Sequence, residues 1–190
     1  MPKKKKTNPN SVPLKEPFDY NAYIEKLIKE ENIYACLLVM SALSEIPDMT
    51  AQKMIDTWFR SNNFDPDAPN GKDIKSRAED IFDFHLPYPN NAVPPEIKTE
   101  GDVKKAKYRL RRNCIYSGLC VFCMAAYNAG ILDEQSVRST YLNAQITEET
   151  IIRGRMTYED IRNNLRQNFG ILITKDGESI CVEQVPDAEA

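Results

Sequence analysis

Only one of the 190 residues is histidine, His85, and no stretch carries a phosphate-binding glycine loop or a serine nucleophile elbow. Acid–base or metal chemistry around a lone imidazole would have to draw on Glu79, Asp80 and Asp83, in AEDIFDFH. That segment reads as a helix end with a solvated acidic face, so a hydrolase or nuclease is set aside and no enzymatic activity is expected. No run approaches the ~20 apolar residues that a bilayer span requires, and the N-terminus lacks the apolar segment of a signal peptide. A cytoplasmic protein with no membrane partner is expected. The cysteines, Cys36, Cys114, Cys120, Cys123 and Cys181, are odd in number and scattered through apolar segments, which excludes a secreted disulfide framework. Cys120-x-x-Cys123 has the spacing of a zinc pair, but its only further ligands would be Cys36, Cys114, Cys181 and His85. Reduced core thiols, no metal and no cofactor are expected.

What the chain does have is a concentration of positive charge. Val103–Arg112 reads VKKAKYRLRR and places Lys104, Lys105, Lys107, Arg109, Arg111 and Arg112 together with no acid among them. At 100° per residue, Val103, Ala106, Leu110, Cys114 and Ser117 share one stripe and the six cations fan over the remaining arc. Subtracting these six and the four lysines of positions 3–6 from the formal net charge of −3 leaves about −13 on the rest of the chain. Such a protein binds polyanions locally, not by bulk attraction.

With 42% apolar residues, the expected fold is mainly α, a helical bundle of about seven to eight helices closed by a C-terminal β-hairpin. The divisions read as a disordered basic tail over 1–17, an N-terminal helical subdomain over 18–85, a proline-rich connection over 86–98, and a second helical region over 99–185 with a tail over 186–190. Tyr20, Tyr23, Ile24, Leu27 and Ile28 form one apolar face, and 33–46, apolar on nearly every side, is the candidate central helix. Ala51, Met54, Ile55, Trp58 and Phe59 give a third helix its buried stripe, and a fourth spans about 72–84. Thr99 to Asp102 and Thr157 to Asp160 are capping boxes. The first opens a helix running to about Gly130, with Gly118 as a candidate kink. Asp133 caps a helix over 134–145, and Thr147 a short one to Gly154. Gly170 ends the last helix, and ILIT-KDGE-SICVEQV reads as a hairpin turning on Asp176-Gly177.

The order short helix, turn at 154–156, second helix, hairpin resembles the winged helix-turn-helix proteins over 147–182. The resemblance rests on Ile151, Thr157, Ile161, Leu165, Gly170, Ile171, Ile173, Gly177 and Ile180. It implies that the helix from Thr157 enters the major groove, with Arg162, Asn163, Arg166 and Gln167 toward bases and Lys175 on the backbone. The functional expectation is a non-enzymatic nucleic-acid-binding accessory protein of bacterial mobile-element or phage origin, as the Lys, Asn and Ile richness of an AT-rich genome suggests. Its partner is DNA, RNA or a nucleoprotein complex. The alternative is a protein-binding antagonist or adaptor of a nucleoprotein machine, of the kind that inhibits CRISPR nucleases.

Overall fold

The computed structural model describes residues 12–62, 80, 97–177 and 179–185. Five helices are bounded among these: α1 (Tyr20–Ser44), α2 (Ala51–Asn62), α3 (Glu100–Asn128), α4 (Glu134–Ile152) and α5 (Tyr158–Phe169). Strands β1 (Ile171–Asp176) and β2 (Ser179–Gln184) follow as an antiparallel hairpin. The mainly helical architecture and the terminal hairpin match the sequence reading. The helix number is lower, because two pairs of expected helices are each continuous.

The first apolar face and the 33–46 segment form one 25-residue helix, α1, which Asp19 caps by accepting from the Ala22 N–H at 2.9 Å. Nothing between Lys29 and Asn32 breaks a helix, since no glycine or proline intervenes and Lys26 reaches Glu30 one turn on. Likewise α4 runs through Thr147 as ordinary helix, so the short helix expected after it is the last turn of a 19-residue one. The fourth helix of the sequence reading, His85 and most of the 86–98 connection lie outside the described residues, although Asp80 is itself helical.

The core is built around α1. Its second half buries Cys36, Leu37, Leu38, Val39, Met40, Ala42 and Leu43, which it can do on every side because α2, α3, α4 and α5 all pack against α1. One cluster joins these residues to Phe122 and Met124 of α3, Tyr141 of α4, Leu165 of α5 and Ile171, Ile173 and Val182 of the hairpin. The two halves divided in sequence at 86–98 therefore share a core. In α2, Met54 and Ile55 are buried as expected, but Phe59 is 52% exposed, because the stripe that meets α3 narrows to Met54, Ile55 and Trp58.

Both capping boxes are present. Thr99 Oγ1 accepts from the Asp102 N–H, and Asp102 accepts from the Thr99 N–H at 3.0 Å; Thr157 and Asp160 repeat the exchange at the head of α5. Helix α3 passes Gly118 unbroken. A tight link, Ala129 to Asp133, returns the chain so that α4 packs antiparallel to α3. Gly170 closes α5 at φ 62°, and an added Cβ would stand 3.1 Å from the Val185 carbonyl. In the hairpin Asp176 still pairs with Ser179, so the turn is one residue later than expected, with Gly177 at φ 59° as its first central residue. Finally, Pro13 bridges Thr99, and the N–H groups of Leu14 and Glu100 donate to Lys98 and Val12. The last residues of the expected N-terminal tail are thereby fixed to the head of α3.

Candidate nucleic-acid interface

The capping box starts α3, and its next three turns carry the six cations. Three of them are turned back onto the protein. Lys107 Nζ lies 5.1 Å from the Tyr23 ring centre and 5.8 Å from that of Phe18, a cation held over two aromatic faces. Arg111 reaches α1, with Nε 2.6 Å from Glu31 and its guanidinium 5.4 Å from the Tyr34 ring. Tyr34 in turn packs on Tyr158 of α5 at 4.3 Å, and burial pushes the Tyr158 phenol up to about 12.

Arg112 is the most enclosed of the six. Its guanidinium donates to the Tyr108 hydroxyl and to the Tyr116 hydroxyl, both at 3.1 Å, and stands 3.1 Å from Glu148 of α4. Glu148 is only 4% exposed. Burial works against the Arg112 charge, but the tyrosine hydroxyls and the facing carboxylate more than offset it and its pKa rises. Burial also pushes the Tyr116 phenol well up, and its bond to Glu148 adds to the shift. This cluster cross-links α3 to α4.

Lys104, Lys105 and Lys107 are exposed and Arg109 is half-buried. Lys105, Arg109 and Arg112 follow one face at i, i+4, i+7 spacing, so the charge continues toward a cleft of about 390 Å³ between α3 and α4. Arg112, Tyr116, Glu149, Arg153 and Arg155 are among the residues lining it. Arg153 is engaged by Glu149 through Nε and a terminal nitrogen, at 3.1 and 3.0 Å; Arg155 has no ion-pair partner among the described residues. Sequence reasoning took 154–156 as a turn and missed that the return of α4 along α3 carries Arg153 and Arg155 to the ridge. An Arg-Gly-Arg exit from a helix antiparallel to a basic one was the available signal.

The groove-reading residues implied by the winged-helix resemblance fall into two sets. Asn163, Arg166 and Gln167 are exposed on α5. Arg162 is paired with Glu159 at 2.5 Å, and Lys175 donates to the Lys29 carbonyl of α1. With Lys175 folded onto α1, the hairpin does not present its lysine outward, and Glu159 and Asp160 place two exposed carboxylates at the head of α5. Helix α5 packs on α1 and β1.

A larger cavity of about 530 Å³ lies between α1, α2, α3 and β2, lined by Cys36, Val39, Trp58, Phe122 and Ile180 among others. Trp58 and Phe122 stack across it at 6.4 Å. Cys120 and Cys123 are fully buried, and burial pushes the thiols of Cys36 and Cys123 far above their ordinary value. Among the described residues no three His, Cys, Asp or Glu side chains are grouped as metal ligands, and no helix is long and apolar enough to cross a membrane. No family model, curated protein or solved structure matches the chain.

Proposed function

We propose that this chain is a non-enzymatic nucleic-acid-binding accessory protein that grips phosphates with the first turns of α3. The observation that supports this best is the outward placement of Lys104 and Lys105, with Arg109 next on the same side of the helix, at the very point where the N-terminal chain is pinned by the Pro13–Thr99 bridge. Arg155 at the α4 exit extends the same charge, whereas Lys107, Arg111 and Arg112 contribute field but hold internal partners. The surface reads phosphates, not bases.

A second reading, an antagonist or adaptor that docks on a nucleoprotein machine, is favoured by the carboxylates of Glu159 and Asp160 at the exposed head of α5, where phosphate would be repelled. Fluorescence anisotropy with a labelled ~20-nucleotide single strand, DNA duplex and RNA duplex separates the two. Reversal of Lys104, Lys105 and Arg109 to Glu should weaken binding at least about tenfold in 50 mM salt. Asn163→Ala with Arg166→Ala should leave it unchanged. Full retention in the ridge variant, or loss confined to the α5 variant, overturns the assignment.

A further inference from the structure

The outward face of α4 carries Glu134, Arg138, Leu142, Ile146, Glu149 and Arg153 in steps of four or three residues, which keep all six on one side of the helix. At its middle, Leu142 is 55% and Ile146 65% exposed, the two most exposed large apolar side chains among the described residues. The charges around them are ordered. Arg138 bonds Glu134 at 2.7 Å on one flank, and Arg153 bonds Glu149 at 3.0 Å on the other. Both flanks therefore run acid then base along the chain, so turning the helix end for end exchanges acid for base at every level.

We propose that this face is the contact surface of an isologous homodimer in which two copies of α4 lie antiparallel about a two-fold axis level with Ala144. That operation sets Glu134 against Arg153 of the second copy, Arg138 against Glu149, and Leu142 against Ile146. The apolar pair is withdrawn from water while all four charges meet their opposites. A parallel pairing would put Glu134 against Glu134 and Arg138 against Arg138, and like charges exclude it. Helix α4 has 19 residues, about 28 Å of length, so the contact lies at the small end of specific interfaces and the dimer is a weak, reversible one. Ile146, Glu149 and Arg153 also line the cleft beside Arg112 and Arg155, so the dimer covers that cleft, whereas Lys104 and Lys105 of α3 are not among the contact residues.

Sedimentation equilibrium on the full chain tests it over about 1–500 μM, the range in which a contact of this size associates. The mass should climb from 21.7 kDa toward twice that value. Arg138→Glu and Glu149→Arg should each raise the dissociation constant about tenfold or more, because each change occurs twice per dimer and faces like charge with like. The double variant Arg138→Glu/Glu149→Arg should recover wild-type association although both intrahelical pairs stay broken. If these charges serve only within the helix, the double variant is no better than the singles, and the proposal fails. Ile146→Asp, at an exposed position whose change leaves far-ultraviolet circular dichroism intact, should abolish association. A wild-type mass of 21.7 kDa throughout the range, or unchanged association in Ile146→Asp, overturns the proposal.

Discussion

Arg112 shows why residue identity alone does not assign a role. In the sequence it is one of six equivalent cations, whereas in the structure it is 3.1 Å from the buried Glu148 and bonded to two tyrosine hydroxyls. Removing one partner of an enclosed ion pair leaves the other charge uncompensated, so Glu148→Gln should destabilise the fold by about 2–3 kcal/mol, below the range for a fully buried pair because Arg112 keeps an edge on the cleft. Arg112→Met should cost a similar amount. The double variant Arg112→Met/Glu148→Gln should recover most of the loss, since neither charge is then stranded. Urea midpoints of the four proteins measure this, and strictly additive losses would show that the two residues are not coupled. At Lys104 and Lys105 the expectation is the reverse: reversal of these exposed charges should shift the midpoint little and affect only binding.

The elements begin and end where local chemistry is strong. Hydrogen bonds from the Thr99 side chain hold the Asp102 carboxyl below its ordinary range, those from Thr157 do the same for Asp160, and the Ser136 backbone N–H does so for Asp133. A carboxyl lowered in the folded state contributes stability that is complete above its unfolded value, about 3.9, and is lost as pH falls through the folded value. The protection factors of the Asp102, Ser136 and Asp160 amides should therefore fall below about pH 4, before the core opens. Asp133→Asn should keep the cap of α4 and remove its share of that acid sensitivity; an unchanged pH profile in this variant would count against it. Gly170→Ala should destabilise by about 1–2 kcal/mol in thermal or urea unfolding, because the left-handed backbone and the nearby Val185 carbonyl both oppose a Cβ. These caps and the hairpin were legible because each depends on residues a few positions apart. The fusions of α1 and α4 were not. A polar stretch without glycine or proline, such as Lys29–Asn32, can be a break or a surface turn of helix, and only packing against α3 and α4 decides.

At the scale of the whole molecule, the candidate site was partly legible. The six cations were visible as a block, but which of them faces outward depends on where α1 and α4 lie against α3, a long-range fact that no local pattern carries. Glu31, Tyr34 and Glu148 are far from the ridge in sequence, and they decide that Arg111 and Arg112 point inward. The same return of α4 brings Arg155 toward the ridge. On a protein of net charge −3 the proposed contact at Lys104 and Lys105 is a local one, so affinity for polyanions should be strongly screened by salt. The most direct test is the salt dependence of binding to a DNA duplex, wild type against the variant with Lys104, Lys105 and Arg109 changed to Glu. Each phosphate neutralised contributes about −0.9 to the slope of log K against log salt. The account predicts a wild-type slope steeper by about two to three than that of the variant; equal slopes, or no measurable binding by the wild type at 50 mM salt, would contradict it.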